Sequence, residues 1–142
     1  QTQFAVFEQF IHEADAKGEP LTADILDDVY GQINQHYYGD SVEPGGDIAL
    51  EWSRIPHFYY NFYVYQYATG FAAATALANK VVHGTDEERK AYIGYLKSGS
   101  SDYPTEIMKK AGVDMTKPDY LEDAFATFAD RLDEFENLIG KF

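Results

Sequence analysis

Apolar residues in the first part of the chain recur every three or four positions, which is the period of an α-helix. The pattern predicts one helix from Gln3 to Lys17, ended by Gly18, and a second from the N-cap Thr22 to about His36. Their apolar faces consist of Phe4, Phe7, Ile11 and Ala14 in the first helix, and Leu26, Val29, Ile33 and Tyr37 in the second. Each helix therefore has one face that packs against a core.

The middle of the chain is predicted to hold a long, mostly apolar helix. Gly39 to Asp47 is rich in turn-forming residues and predicts a loop, and Ile48 to Arg54 predicts a short helical segment. The aromatic residues that follow Pro56 run without a break into an alanine-rich stretch. We expect a single helix from about Tyr60 to Val82, with Gly84 as its C-cap, that is buried on most sides because it is apolar nearly all round.

The last part of the chain also carries helix signals. Thr85 and Glu88 have the spacing of a capping box for a helix to about Lys97. Pro104 suits the first turn of a short helix that ends at Gly112, and Pro118 precedes a final amphipathic helix. The apolar face of that last helix consists of Leu121, Phe125, Phe128, Leu132, Phe135 and Ile139. The fold class predicted for the chain is all-α.

Composition excludes several classes of function. The formal net charge is −13, from 24 acidic and 11 basic residues, so nucleic acid and anionic membrane surfaces are poor partners. The apolar stretch from Val64 to Val82 is interrupted by polar residues, which argues against a membrane span. The sequence has no cysteine, which excludes thiolate chemistry and is consistent with a cytoplasmic location.

No complete catalytic motif is present. His12 is followed by Glu13, but position 16 is Ala16, so the HExxH zinc motif fails, and no metal site is predicted within the chain. The unusual feature is the segment from His57 to Tyr67, which contains five tyrosines. A buried phenol hydroxyl without a partner costs about 1–3 kcal/mol, so a core could be built more simply from Leu or Phe. From these residues alone, both an aromatic helix in a large core and a polar groove lined by hydroxyls remain open.

At this segment the sequence resembles the oligoendopeptidase F branch of the thimet oligopeptidase family. The resemblance is carried by three motifs in order, IPHFYYNFYVYQYATGFAAATALANK, LKSGSSDYP and KKAGVDM. It implies a larger, mostly helical zinc peptidase that hydrolyses short peptides, of which residues 1–142 are the C-terminal segment of the catalytic domain. The zinc ligands and the catalytic Glu are expected upstream, so the fragment alone is expected to bind no zinc and to be inactive.

The resemblance also implies roles for residues of the aromatic segment. His57 and Tyr63 match the family's catalytic His and Tyr, which donate to the transition state, and Tyr67 matches a tyrosine that lines the substrate groove. The family's Gly pair is replaced by Tyr60-Asn61, and one extra residue separates His57 from Tyr63, so Tyr60 is a further candidate for substrate binding.

The expected partners are short peptides and the remainder of the catalytic domain. Because the predicted helix from Tyr60 to Val82 is apolar on more sides than its short neighbours can cover, the fragment is also expected to self-associate. Two other classes are compatible with the residues: a non-enzymatic helical interaction module that docks a protein on the aromatic helix, and a carbohydrate- or peptide-binding module that uses the tyrosines as a platform.

Overall fold

The structure is a computed structural model that describes residues 1–40 and 46–140. Within these ranges every regular element is helical, which confirms the predicted all-α class. The α-helices are α1 (Thr2–Lys17), α2 (Ala23–Tyr38), α3 (Tyr65–His83), α4 (Asp86–Ser98), α5 (Pro104–Lys110) and α6 (Asp119–Ile139), and two 3₁₀ helices span Ile48–Arg54 and Pro56–Tyr59. Of the predicted loop, positions 41–45 lie outside the described residues. The chain divides into two compact units, Gln1–Ala68 and Thr69–Phe142.

The first unit is built on the pair α1 and α2. Gly18 ends α1 in the left-handed conformation with φ 74°, and the hydroxyl of Thr22 accepts a hydrogen bond from the backbone N–H of Ile25, as an N-cap does. Phe7 is fully buried, and its ring lies 5.2 Å from the rings of both Tyr30 and Phe58. These aromatic contacts hold the second 3₁₀ helix against α1 and α2.

Two side-chain hydrogen bonds fasten the first 3₁₀ helix to α2. The hydroxyl of Tyr30 donates to Glu51 over 2.6 Å, and the indole N–H of Trp52 donates to Asp27 over 2.7 Å. Burial, together with the hydrogen bond to Glu51, raises the pKa of Tyr30 far above its ordinary value. The position of the chain just before His57 is therefore set by polar contacts as well as by packing.

The predicted long helix begins five residues later than expected. The predicted start at Tyr60 is wrong, because α3 begins at Tyr65 and ends at His83. Asn61 and Phe62 have φ values of 52° and 63°, in the left-handed region that an α-helix of L-residues cannot continue through. Tyr60, Asn61, Phe62, Tyr63 and Val64 therefore form a loop that leads into α3.

The second unit has its core between α3 and the segment after α5. The buried face of α3 consists of Ala72, Ala73, Ala76 and Leu77, which pack with Ala111, Val113 and Tyr120. The predicted capping box of α4 is confirmed, because the Thr85 hydroxyl accepts from the Glu88 N–H and the Glu88 carboxylate accepts from the Thr85 N–H. Among the described helices, none combines the length and the apolar character that crossing a bilayer requires.

Candidate functional site

The four predicted site residues meet in one cluster within the first unit. His57 lies in the second 3₁₀ helix, Tyr60 and Tyr63 lie in the loop that follows it, and Tyr67 lies in the first turn of α3. The imidazole of His57 is at the centre, with ring centroids 5.8 Å from Tyr60, 5.8 Å from Tyr63 and 5.6 Å from Tyr67. We call His57, Tyr60, Tyr63 and Tyr67 the His–Tyr cluster.

The rings of the His–Tyr cluster adopt specific mutual orientations. Tyr63 stacks on His57 at an interplanar angle of 26°, whereas Tyr60 and Tyr67 approach the imidazole edge-on at 76° and 88°. Tyr63 also contacts Tyr60 and Tyr67, with centroids 6.1 and 5.9 Å apart. Aromatic pairs prefer these offset and edge-on geometries, so the cluster is held by favourable ring contacts.

A hydrogen bond joins His57 and Tyr67 within the cluster. The hydroxyl of Tyr67 lies 3.0 Å from Nε2 of His57, a distance that suits either direction of donation. For Tyr60 and Tyr63, the side-chain contacts within the described part of the chain are ring contacts, with no hydrogen bond to either hydroxyl. Tyr60 is 58% exposed and Tyr63 is 42% exposed. Both phenols can therefore donate to a molecule that approaches from outside.

The loop that carries Tyr63 is anchored from α1 by a residue that the sequence analysis missed. The carboxylate of Glu8 accepts the backbone N–H of Tyr63 with one oxygen and that of Val64 with the other, both at 3.1 Å. The sequence does contain a signal for this residue, namely a charge on the apolar face of α1. Glu8 lies four residues after Phe4 and three residues before Ile11, so all three share that face.

Beside the His–Tyr cluster lies a small cavity of about 230 Å³, lined by Gln1, Phe4, Ile55, His57, Val64 and Tyr67. It has apolar walls and carries the His57–Tyr67 pair at its surface. An imidazole and phenols at the edge of an apolar recess can donate hydrogen bonds to a polar group while the recess takes an apolar one.

Metal ligands do not come together in the described residues, among which no group of three or more His, Asp or Glu has the arrangement to hold an ion. His57 has three tyrosines as its ring neighbours, and neutral phenols are not the donor set of a protein zinc site. The His–Tyr cluster therefore does not fit a zinc ion, and its chemistry is that of hydrogen-bond donors.

Comparison with known proteins identifies a protein family whose sequence model covers the His–Tyr cluster. The family model described as peptidase family M3 matches residues 1–127, which include the whole His–Tyr cluster and Glu8. The chain is 61% identical over 141 residues to oligoendopeptidase F, plasmid, of Lactococcus lactis subsp. cremoris, and 51% identical over 141 residues to oligopeptidase PepF of Bacillus subtilis.

The fold agrees with that of a solved relative. The crystal structure of oligoendopeptidase-F from Enterococcus faecium superposes with a TM-score of 0.92 at 57% sequence identity. These three matches each cover 99% of this chain but only 24%, 21% and 27% of the relatives, so the chain spans about a quarter of their length. The sequence resemblance to oligoendopeptidase F is thereby confirmed.

Proposed function

This chain belongs to peptidase family M3, and we propose that it forms the C-terminal part of a cytoplasmic zinc oligoendopeptidase that hydrolyses short peptides. In this proposal residues 1–142 supply hydrogen-bond donors and substrate contacts, and the rest of the catalytic domain supplies the metal centre. The family match and relatives named as oligopeptidases favour this function over a non-enzymatic interaction module.

The observation that carries the proposal is the convergence of three phenols on one imidazole. The ring centroids of Tyr60, Tyr63 and Tyr67 all lie within 5.8 Å of that of His57. Hydrolysis of a peptide passes through a tetrahedral state in which negative charge develops on the former carbonyl oxygen. Donors that are already oriented toward this oxygen stabilise the transition state more than the ground state.

We assign the donation to Tyr63 and His57. Tyr63 has a hydroxyl without a hydrogen-bond partner in the described residues, and the loop backbone fixes its position. His57 can donate from Nε2 when its proton is there, and the Tyr67 hydroxyl 3.0 Å away can then accept that hydrogen bond until substrate arrives. A phenol keeps its proton at neutral pH and is therefore a donor.

Tyr60 and Tyr67 are assigned to substrate binding. Their rings flank His57 edge-on and present flat faces with a polar tip, which suit the mixed apolar and polar surface of an extended peptide. The 230 Å³ cavity beside Tyr67 and His57 would accept one apolar side chain of such a peptide.

The zinc ion that family membership implies would polarise the carbonyl and activate water when bound by ligands outside the described residues. The part played by this chain is separate: its donors orient the carbonyl oxygen and stabilise the charge that forms on it.

The test is Tyr63→Phe in the full-length enzyme that contains this chain. The substitution removes one hydroxyl and keeps the ring that stacks on His57. Turnover, kcat, should fall by about 10²-fold or more while KM changes little, because the lost hydrogen bond belongs to the transition state.

The matched control is Tyr59→Phe, which removes the hydroxyl of the tyrosine that directly precedes Tyr60 in the chain. Tyr59 is 86% exposed and lies outside the His–Tyr cluster, so its kcat should stay within about twofold of wild type. Normal turnover in Tyr63→Phe, with a large loss in Tyr60→Phe, would refute the assignment and place the donor on Tyr60.

A further inference from the structure

We propose that Glu8 is the positioning residue of the His–Tyr cluster and sets the place of Tyr63 by binding the backbone of its loop. The inference rests on the proposed function for its catalytic consequence. Its structural part, the anchoring of the loop by one carboxylate, stands on the geometry of the first unit alone.

Glu8 is a buried residue of the first unit. Only 1% of Glu8 is exposed, although it carries a carboxylate on the same face of α1 as Phe4 and Ile11. Charged side chains are almost never fully buried unless hydrogen bonds or counter-charges compensate the loss of water. A buried carboxylate on α1 therefore has a specific partner, and a Gln or Leu would fit the helix pattern with a smaller desolvation cost.

The carboxylate of Glu8 accepts hydrogen bonds from two backbone N–H groups of the loop. The two oxygens of Glu8 are used separately, Oε1 by the N–H of Tyr63 and Oε2 by the N–H of Val64, each at 3.1 Å. These two consecutive N–H groups follow Asn61 and Phe62, whose φ values are 52° and 63°. Both N–H groups point toward α1, where each donates to one oxygen of the same carboxylate.

The hydrogen bonds to Glu8 offset the unfavourable backbone conformations of Asn61 and Phe62. Asn and especially Phe are unfavourable in the left-handed region, which persists only where the surroundings determine it strongly. The ring of Phe62 packs on His12 with centroids 4.3 Å apart, so α1 holds this loop through a side chain as well as through Glu8. Without the carboxylate, Tyr63 and Val64 would each lose the backbone hydrogen bond that they donate to α1.

Glu8 affects the position of the Tyr63 side chain through the backbone of the loop. Because Glu8 holds the N–H of Tyr63, it also holds the Cα of Tyr63, from which the ring stacks on His57 with the ring centroids 5.8 Å apart. Glu8 itself contacts the loop backbone, so it acts through Tyr63. A small misplacement of a donor is enough to reduce turnover substantially.

The experiment is a double-mutant cycle in the full-length enzyme, with Glu8→Gln, Tyr63→Phe and the double variant. Gln keeps the shape of Glu but turns an N–H₂ group toward one of the two backbone N–H groups. We expect Glu8→Gln to lower kcat about tenfold with little change in KM. In the Tyr63→Phe background the same change should alter kcat less than twofold, because the hydroxyl it positions is gone.

A second readout is independent of catalysis. Amide hydrogen exchange of Tyr63 and Val64 should be at least tenfold faster in Glu8→Gln, with exchange in α2 unchanged. Glu13→Gln is the matched control, since it makes the same change of charge on an exposed residue of α1 and should affect neither exchange nor kcat. If Glu8→Gln does not fold, Glu8→Asp carries the same measurements with a carboxylate on a shorter stem.

The outcomes separate the two proposals. Unchanged exchange at Tyr63 and Val64 would overturn the anchoring by Glu8 whatever the kinetics show. If Tyr63→Phe lowers kcat as expected, an equal further loss from Glu8→Gln in both backgrounds would overturn the positioning of Tyr63 by Glu8, because Glu8 would then not act through the Tyr63 hydroxyl. A normal kcat in Tyr63→Phe with faster exchange in Glu8→Gln would refute the catalytic assignment and leave the anchoring in place.

Discussion

The hydroxyl of Tyr30 donates to Glu51 in the core of the first unit, where the ring is fully buried. Burial raises the pKa of this phenol above its ordinary value, so the folded chain keeps the proton at a pH where the unfolded chain releases it. The stability that Tyr30 contributes is therefore complete below about pH 10, the ordinary pKa of a tyrosine, and is lost as the pH rises above it.

We predict that unfolding experiments between pH 9 and 11 will show a decline in stability that Tyr30→Phe makes shallower. Phe cannot ionise, so the unfolded state of that variant gains less from alkaline pH. Urea unfolding at several pH values checks this, with Tyr59→Phe as the control at an exposed phenol. Equal slopes for wild type and Tyr30→Phe would show that this phenol does not control the alkaline limit.

The left-handed conformation of Asn61 before α3 predicts how substitutions at this position change the free energy of unfolding. Asn61 has a φ of 52°, which glycine adopts freely and which costs other L-residues about 1–2 kcal/mol, with Asn among the most tolerant. Asn61→Ala should therefore lower the free energy of unfolding by about 1 kcal/mol, and Asn61→Gly should change it by less than half as much. Thermal unfolding of both variants measures the difference, and equal losses would contradict the role of backbone conformation.

The His–Tyr cluster shows what a sequence can and cannot reveal about single residues. His57, Tyr60, Tyr63 and Tyr67 were chosen from a resemblance, and the structure brings all four together, although their roles stay predictions. The geometry assumed for Tyr63 was wrong, since it lies in a loop and not on a helix. The carboxylate of Glu8, 55 residues earlier in the chain, accepts the N–H of Tyr63 in that loop, a pairing that no local pattern contains.

Helix ends were predicted well where the signals are local. Thr22 and Thr85 both cap helices through their hydroxyls, because the capping residue and its N–H partner are three positions apart in the chain. The start of α3 was missed because the aromatic stretch runs from Tyr60 into the alanine-rich part that begins at Ala68, with no Gly or Pro in between. In that segment the N–H of Val64 donates a hydrogen bond to Glu8 of α1, a tertiary contact that local patterns do not contain.

The capping box of α4 is open to direct measurement. Thr85→Ala removes the acceptor of the Glu88 N–H and should reduce stability by about 1 kcal/mol, whereas Thr85→Ser should be close to wild type.

Hydrogen bonds from the Thr85 backbone and from Lys80 lower the pKa of Glu88, so its contribution is present at neutral pH and is lost as the pH falls through that lowered pKa. Chemical unfolding at pH 7 and pH 3 tests both statements; equal stability of all three proteins would exclude a role for this cap.

The final helix exposes its apolar face. Phe125 and Phe128 are each 69% exposed, and Leu132, Phe135 and Ile139 continue the stripe. A contiguous apolar stripe of this kind usually marks a contact surface. The predicted pattern of α6 was correct, but a sequence of this length cannot show what covers it, because the relatives are about four times as long.

We therefore predict that the isolated 142-residue chain self-associates and binds a hydrophobic dye. Exposed aromatic side chains favour association because contact removes apolar surface from water. Analytical ultracentrifugation and dye fluorescence check this with a variant that carries Phe125→Ser and Phe128→Ser, which should weaken both signals. Substitutions of two residues that already face solvent should leave α6 helical.

The proposed role of Tyr63 is to stabilise the negative charge that develops on the substrate oxygen. A phosphinic peptide, whose tetrahedral P–O⁻ group resembles that oxygen, tests it most directly in the full-length enzyme. Tyr63→Phe should weaken the binding of this inhibitor by about the same factor as it lowers kcat/KM, about 10²-fold, while a product peptide binds as before. Unchanged inhibitor affinity in Tyr63→Phe, with turnover reduced, would contradict the claim and assign Tyr63 a structural role.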